Sequence, residues 1–355
     1  MPEQKLSLRV VQGPLEPRQN EVILSEYNRL TSSQIPMEDF LHWVQDSPAG
    51  PSWHAIFETD EGQIVGHSCL IPLRGHCNGR WQVSAKSEYG FILEPFRTAK
   101  VHGFENVSLP RHIILLDQLF RQCRSQGWGP IVISGDRALQ RFGVRAECFR
   151  VSFPLWECLL VLRPWHAPLE TPNLSRWQRG LLGLAGAPQA VAWSVLSSLT
   201  TRGGAIRQVP IGEFCPPSTN NALSFFEDGD SLRWRYLEGH YERLALDARS
   251  GEYVIVKKGS PGSYLRVCQW KLSSNDQLTF AVIARLVRMA QEEKALGVRW
   301  AVYGDEPATK LAHHMRRFGF LTARRVRTLL IQSKEPEFLA PENWNLTDAM
   351  FCFDF

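Results

Sequence analysis

The sequence predicts an α+β protein built from two similar domains, each a mostly antiparallel mixed sheet flanked by helices. A pattern of helix, strand, short helix, Arg-Phe-Gly and strand occurs twice. In the first copy Gly127 ends the helix and the tripeptide is Arg141-Phe142-Gly143. In the second copy Gly297 and Arg317-Phe318-Gly319 hold these positions. Because the copies lie about half a chain apart, they indicate two domains rather than a solenoid, whose period is roughly 20–50 residues.

The composition is typical of a folded, soluble protein. A chain of 355 residues suits about two domains, and its contents of 44% hydrophobic and 21% charged residues are ordinary. The net charge of +4 is small for this length, so we expect no nucleic-acid partner. The eight cysteines lack metal-ligand spacing, which predicts no metal site and a reducing compartment. Residues 1–9 lack the apolar core of a signal peptide, and we therefore expect a cytoplasmic protein.

The elements of the first half follow from apolar periodicity and from turn residues. Helical spacing covers 16–31 and 37–45. A third helix can be capped by Ser108, with Pro110 in its first turn and Gly127 after its end. The other elements are strands at 54–57, 63–72, 81–93, 130–134 and 148–162 and a short helix at 137–142.

A linker separates the halves, so that the predicted domains are 1–163 and 211–355, with 164–210 between them. Within the linker, 180–201 contains no charged residue. This segment is long enough to cross a bilayer, but its Pro188 and three glycines make it a poor span. Two alternatives remain open: a helical linker packed on the domains, and a helix lying on a membrane surface as a peripheral contact.

The second half begins with residues 231–236, whose alternation predicts a strand. A helix from Asp276 to Ala295 follows three more strands, and Ser274 or Asn275 can cap it. The strand, short helix, Arg-Phe-Gly and strand of the second copy complete this half. The three intervening strands are predicted at 243–247, 253–257 and 264–272.

This order of elements resembles the fold of the GCN5-related N-acetyltransferases (GNAT). Phe142-Gly143-Val144 and Phe318-Gly319-Phe320 look like the F-G-F turn that precedes a late strand in that family. Trp234-Arg235-Tyr236 and the tail at 344–348 are similar to bacterial tandem-GNAT proteins of surface-polysaccharide or secondary-metabolite pathways. The resemblance covers essentially the whole chain. It implies two tandem GNAT-like domains and an N-acyltransferase that moves an acyl group from acetyl-CoA or another acyl-CoA to an amine of a sugar or small metabolite.

The resemblance also implies a place for the acyl-CoA. GNAT enzymes hold its pyrophosphate on a Q/R-x-x-G-x-G/A loop at a helix N-terminus, where unpaired N–H groups and the helix dipole favour an anion. Here Arg97 matches the basic residue, but 98–103 lacks the glycine pair. We expect Arg97, Thr98, Lys100 and Arg111 to bind the donor; the alternative is a solvated basic loop. In the second half the equivalent helix starts at Asp276, which repels a phosphate, so one acyl-CoA site is expected.

Three residues are candidates for the acid–base step. In GNAT enzymes the base commonly lies on the strand before the CoA loop, where this chain has Glu88 and Tyr89. Alternation along a strand would place them on opposite faces, so that at most one faces a cleft, and Glu88 is preferred as the base. His102 is a further candidate because imidazole titrates near neutral pH. The alternatives are an exposed strand carboxylate and an exposed loop histidine.

Arg233, Arg235 and Tyr241 are candidates for binding the acceptor. If 231–236 is a strand, both arginines share one face and can clamp a phosphate or carboxylate. Tyr241 can line the cleft between the domains. The alternative is an amphipathic strand with Trp234 and Tyr236 in the core.

Two other functions remain open at this stage. One is a Fem-like transferase, which takes aminoacyl-tRNA as its donor and against which the low net charge argues. The other is a non-catalytic pair of degenerate GNAT domains that acts as a scaffold or ligand-binding protein, as the missing glycines suggest.

Overall fold

The computed structural model confirms the predicted α+β class. Its described residues form a mostly antiparallel sheet with helices on both faces. The structure describes residues 5–104, 109–133, 148–163, 187–188, 190–196, 206–213, 222–237, 239–247, 251–259, 261–272, 276–304 and 306–348. The short helix predicted at 137–142, the first Arg-Phe-Gly and Ser108 lie outside these residues.

The first half contains seven described strands and three labelled helices. The strands are β1 (Lys5–Gln12), β2 (Trp53–Thr59), β3 (Ile64–Cys77), β4 (Arg80–Ile92), β5 (Lys100–Val101), β6 (Ile131–Ile133) and β7 (Phe149–Val161). The helices are α1 (Pro17–Thr31), α2 (Met37–Gln45) and α3 (Arg111–Ser125). Helices α1 and α2 pack on one face of the sheet and α3 packs on the other.

The second half repeats this plan. Its strands are β8 (Arg207–Val209), β9 (Ser224–Phe225), β10 (Tyr241–Asp247), β11 (Glu252–Lys257), β12 (Tyr264–Lys271), β13 (Gly297–Tyr303) and β14 (Leu321–Gln332). Its labelled helices are α4 (Gly229–Arg235), α5 (Asp276–Glu292) and α6 (Glu306–Arg317). Within the described residues, the predicted strands and helices therefore occur in the predicted order, with the exception of 231–236.

The two halves exchange their last strands. Strand β7 of the first half lies between β14 and β13, and β14 of the second half lies between β6 and β7. The β14–β7 pairing runs from Leu321↔Leu159 to Ile331↔Phe149. One continuous sheet thus joins the halves, although the chain boundaries of the two domains stay a prediction.

The second Arg-Phe-Gly ends α6 with a Schellman motif. Gly319 has φ +84°, which favours glycine, and its N–H donates to the carbonyl of Arg316 at 2.9 Å. The N–H of Phe320 donates to the carbonyl of Met315 at 3.1 Å, and the side chains of both residues are buried in the same core. The Phe-Gly-Phe sequence therefore stops the helix and anchors the strand that follows.

The strand predicted at 231–236 is wrong, because these residues form α4 and its end. The Asp228 carboxylate accepts the N–H groups of Asp230 and Ser231, and this N-cap starts a helix where alternation alone predicts a strand.

The described part of the linker is helical at 187–188 and 190–196. The Trp193 indole N–H donates to the carbonyl of Phe318 at 2.7 Å, and its ring packs against Phe280. This segment therefore packs on the second half. Within the described residues, no helix combines the length and the apolar character needed to cross a membrane.

Candidate functional site

A bulge in β4 creates the site. The register of β3 and β4 shifts between His67 and Cys69, so that Tyr89 and Gly90 together oppose Ser68. Tyr89 has φ +52°, an uncommon conformation for a bulky residue.

Next to the bulge, the sheet opens. Strand β6 pairs with β4 only at 85–87, and among the described residues the rest of that edge of β4 has no neighbouring strand. An open edge presents unpaired backbone N–H and C=O groups. The bulge and the open edge together form one wall of a cleft.

This cleft encloses a cavity of about 540 Å³. Helix α1, strands β3, β4 and β6, the segment after β4 and the start of α3 line it. Its polar and charged lining residues are Tyr27, Thr31, His67, Ser68, Ser87, Glu88, Tyr89, Arg97, Arg111 and His112. A concave site with a few convergent polar groups is the usual form of a small-molecule site. Four of the residues predicted from sequence therefore meet in one cavity: Glu88, Tyr89, Arg97 and Arg111.

Glu88 is held by a buried cation. Its Oε1 accepts from the Nζ of Lys86 at 2.6 Å, and the Lys86 side chain is only 1% exposed. Because Lys86 engages one carboxylate oxygen, the orientation of the group is fixed while its other oxygen can face the cavity. This is the geometry expected of a positioned proton acceptor.

The expectation that Glu88 and Tyr89 face opposite sides of β4 is wrong, because the bulge interrupts the alternation. The Tyr89 ring packs edge-on against Tyr27 and Phe40 of α1 and α2, and Glu88 lies close enough to Tyr27 to raise its pKa. Burial first, and then the Glu88 charge, raise the pKa of Tyr27 to about 12. Burial likewise raises the pKa of Tyr89. Both phenols therefore stay protonated at neutral pH.

The start of α3 suits an anion. Pro110 occupies the N-cap position, and the first turn contains no acidic residue. Arg97 and Arg111 lie beside it in the cavity lining. The Arg111 guanidinium donates to the carbonyls of Ala99 and Leu109, which ties the loop to the helix, and burial lowers the pKa of Arg111. The positive end of the helix dipole next to two guanidiniums favours a phosphate.

Thr98, Lys100 and His102 do not line the cavity. The chain turns away after Arg97, and Lys100 lies in β5, which pairs with β1. The N–H of His102 donates to the carbonyl of Leu6 at 2.8 Å. Strand β5 lies four strand steps from β4, which is roughly 19 Å at ~4.8 Å per step. Lys100 and His102 therefore lie at the far edge of the sheet, and Thr98 lies between them and Arg97 in the chain.

The second half has a similar bulge that its own side chains fill. Strands β11 and β12 shift register around Cys268. The neighbouring Gln269 accepts from the Tyr236 hydroxyl at 2.9 Å and donates to the Tyr253 hydroxyl at 2.8 Å and to the carbonyl of Phe226 at 3.2 Å. Gln269 and Tyr236 are buried. Hydrogen-bonded core residues thus occupy this position, in contrast to the open cleft of the first half.

Arg233, Arg235 and Tyr241 do not form an acceptor site in this cavity. Arg233 is exposed and pairs with Asp230 of its own helix at 2.6 Å. Arg235 is 1% exposed, and its guanidinium stacks 5.4 Å from the ring centre of Trp43. Tyr241 is buried against the Tyr236 ring. Arg233 and Arg235 are two residues apart. On a strand such residues share one face, whereas on a helix they point in different directions, so α4 separates them.

Sequence reasoning missed Tyr27, His67 and His112. Tyr27 follows the buried Ile23 by four residues, so helical spacing alone places both on one face of α1. His67 and His112 had no comparable signal, because the bulge and the helix start that bring them to the cavity depend on strand pairing.

No protein-family model matches the chain, and no curated protein matches it. Solved structures match its fold at low identity. A conserved Enterococcus faecalis protein of unknown function superposes with a TM-score of 0.54 and 10% identity, over 94% of this chain and 74% of the other. A GCN5-related N-acetyltransferase from Anabaena variabilis gives 0.52 and 10% identity, over 91% and 72%. Another from Kribbella flavida gives 0.50 and 11% identity, over 91% and 70%. The chain therefore has the fold of the GCN5-related N-acetyltransferases along almost its whole length, as the resemblance predicts.

Proposed function

We propose that this protein is an N-acyltransferase that transfers an acyl group from acetyl-CoA or another acyl-CoA to an amine of a sugar or small metabolite. One observation carries the proposal: a single cavity combines the open edge of β4, a fixed carboxylate at Glu88, and a helix start flanked by Arg97 and Arg111. These are the parts that acyl transfer from a thioester requires.

The groups at the start of α3 fit the pyrophosphate of the donor by their chemistry. Two guanidiniums supply donors to phosphate oxygens at the positive end of the α3 dipole, and no acidic residue of the first turn competes. The thioester then lies along β4, whose open edge carries N–H groups that can stabilise the oxyanion of the tetrahedral intermediate.

Glu88 acts as the base in this proposal. It takes a proton from the acceptor ammonium, or from the amine as its nitrogen attacks the thioester carbon. The C–N bond forms, the C–S bond breaks, and the CoA thiolate leaves and takes a proton from solvent. The protonated hydroxyl of Tyr27 lies beside Glu88 and can donate a hydrogen bond to the acceptor.

Titration with acetyl-CoA tests the donor site. Arg97→Ala should weaken binding about 10- to 100-fold, because a charge-assisted hydrogen bond contributes about 1.5–3 kcal/mol. Lys100→Ala is the matched control: it removes a basic residue of the same loop that does not line the cavity, so the variant should bind acetyl-CoA as tightly as the unmodified protein. Binding that is unaffected by Arg97→Ala would place the donor elsewhere.

Release of free CoA thiol with a panel of amino sugars and other amines tests the chemistry. Glu88→Gln should lower kcat about 10²- to 10⁴-fold, the range for loss of a general base, and leave the affinity for acetyl-CoA unchanged. Equal turnover by Glu88→Gln and the unmodified protein would exclude Glu88 as the base.

A non-catalytic, ligand-binding role is the second candidate. It is supported by the absent glycine pair at 98–103 and by the filled bulge of the second half. It predicts ligand binding without thiol release from any amine. The Fem-like alternative predicts that aminoacylated RNA, rather than acyl-CoA, binds in the same titration.

The remaining expectations about partners stay proposals. They are a cytoplasmic location, a small-molecule amine as the acceptor, no nucleic acid, and contact of 180–201 with a membrane surface. Val191 and Val195 are exposed one helical turn apart, which suits such a contact, whereas the packing of Trp193 suits a structural linker. Sedimentation with anionic vesicles separates the two, because a Val191→Asp variant should lose only a membrane contact.

A further inference from the structure

Two buried histidines lie directly behind the bulge of β4. His67 on β3 and His54 on β2 are both 0% exposed to solvent. The Nδ1 of His67 lies 2.9 Å from the carbonyl oxygen of Tyr89, and its Nε2 lies 3.1 Å from the Nδ1 of His54. His67 also lines the cavity. The two hydrogen bonds therefore link the buried His54 to Tyr89, which lies in the bulge.

The direction of both hydrogen bonds follows from the first. A carbonyl oxygen can only accept, so His67 Nδ1 carries the proton. In a neutral ring the Nε2 of His67 is then an acceptor, and the Nδ1 of His54 must donate to it. The Nε2 of His54 is left bare, and it has no hydrogen-bond partner in the described structure. Burial lowers the pKa of His67 to about 4 and that of His54 well below 6.5, so both rings are neutral.

This arrangement excludes a proton relay. Both nitrogens of His67 are engaged, and the far nitrogen of His54 is buried, so a proton has no route from the cavity to solvent through the pair. Fixed hydrogen bonds to a backbone carbonyl instead restrain the backbone itself. The left-handed conformation of Tyr89 is one that persists only where its surroundings hold it.

We propose that His54 and His67 are positioning residues that hold the Tyr89 carbonyl and so set the edge of β4 on which the acyl thioester binds. This inference rests on the proposed acyltransferase function. His67 acts on the bulge directly, and His54 acts by selecting the tautomer of His67 that can donate to Tyr89. Neither ring exchanges a proton with the substrates.

Kinetics with three variants test the role. His67→Phe keeps a ring but removes the donor, and kcat should fall at least 10-fold with little change in the affinity for acetyl-CoA at the start of α3. His67→Asn keeps an N–H at the position of Nδ1 and should stay within about threefold of the unmodified protein. His76→Phe, the same change at a buried histidine of the same strand outside the cavity, should leave kcat unchanged. Full activity of His67→Phe, or equal losses in all three variants, would overturn the positioning role.

A second measurement needs no activity. Long-range ¹H–¹⁵N correlation spectra at pH 7 should show His54 and His67 as neutral, Nδ1-protonated tautomers, and in His54→Phe the His67 signal should shift toward a tautomer mixture. A cationic or Nε2-protonated His67 in the unmodified protein would overturn the inference. The outcomes are separable: an inactive protein with the expected tautomers overturns the proposed function, whereas an active one with the wrong tautomers overturns only the histidine pair.

Discussion

Mild acid should destabilise this protein through His54 and His67. Burial holds the folded pKa of His67 near 4, whereas an unfolded histidine titrates near 6.5. Between these two values the unfolded state binds the extra proton. The free energy of unfolding is therefore unaffected by this group above pH 6.5 and falls as the pH drops from 6.5 toward 4.

The size of the effect follows from the same pKa values. At pH 5 the unfolded imidazole is almost fully protonated and the folded one is almost fully neutral. The 1.5 pH units below 6.5 correspond to about 2 kcal/mol at ~1.36 kcal/mol per unit. His54 is fully buried, and after burial the charges of His67 and of Arg9 on the neighbouring strand also lower its pKa, so it acts in the same direction as His67.

Urea unfolding at pH 7.5 and pH 5.0, followed by tryptophan fluorescence, measures this loss. Carboxylates and other titratable groups also change the stability between these pH values. The test is therefore the difference between the stability lost by a variant and that lost by the unmodified protein. His67→Phe should lose about 2 kcal/mol less than the unmodified protein between the two pH values. If His67→Phe and the unmodified protein lose equal stability, His67 is not a buried neutral group and the reasoning fails.

Two further predictions concern the second half. The Trp234 side chain is buried against the Trp43 ring, and its indole N–H donates to the carbonyl of His42 at 3.1 Å. Trp234→Ala should therefore lower the free energy of unfolding by about 3–5 kcal/mol, whereas Arg233→Ala, on the exposed side of the same helix, should change it by less than about 0.5 kcal/mol. Gly319→Ala should destabilise by about 1 kcal/mol or more because its φ is +84°. Chemical denaturation checks both, and an unchanged midpoint for Trp234→Ala or Gly319→Ala would contradict the contact or the backbone argument.

Local sequence rules predicted most of the secondary structure. Helix α2 has the predicted bounds, and Gly127 follows α3 with φ +71° as a helix-ending glycine should. These features depend on neighbours within one helical turn, which is why they can be read from the chain. Residues 231–236 are the exception, because the cap at Asp228 outweighs an alternating pattern.

The candidate site was only partly predictable. Glu88 and Arg97 could be placed by their positions at the end of a strand and before a helix. Lys100 and His102 belong to the same stretch of sequence, yet β5 carries them to the far edge of the sheet through its pairing with β1. Proximity along the chain therefore does not predict which residues of this stretch line the cavity, because a loop between two elements can cross several strands.

The sequence by itself determined the repeated order of elements, the fold class and the inequality of the two helix starts, because these rest on periodicity and on charges at known positions. Tertiary structure decided the rest. The bulge that puts Glu88 and Tyr89 on one side, the histidine pair behind it and the exchange of β7 and β14 all depend on which residues face each other across strands. Strand register is a long-range property, since a shift of one residue reverses every side chain, and no local pattern of residues specifies it.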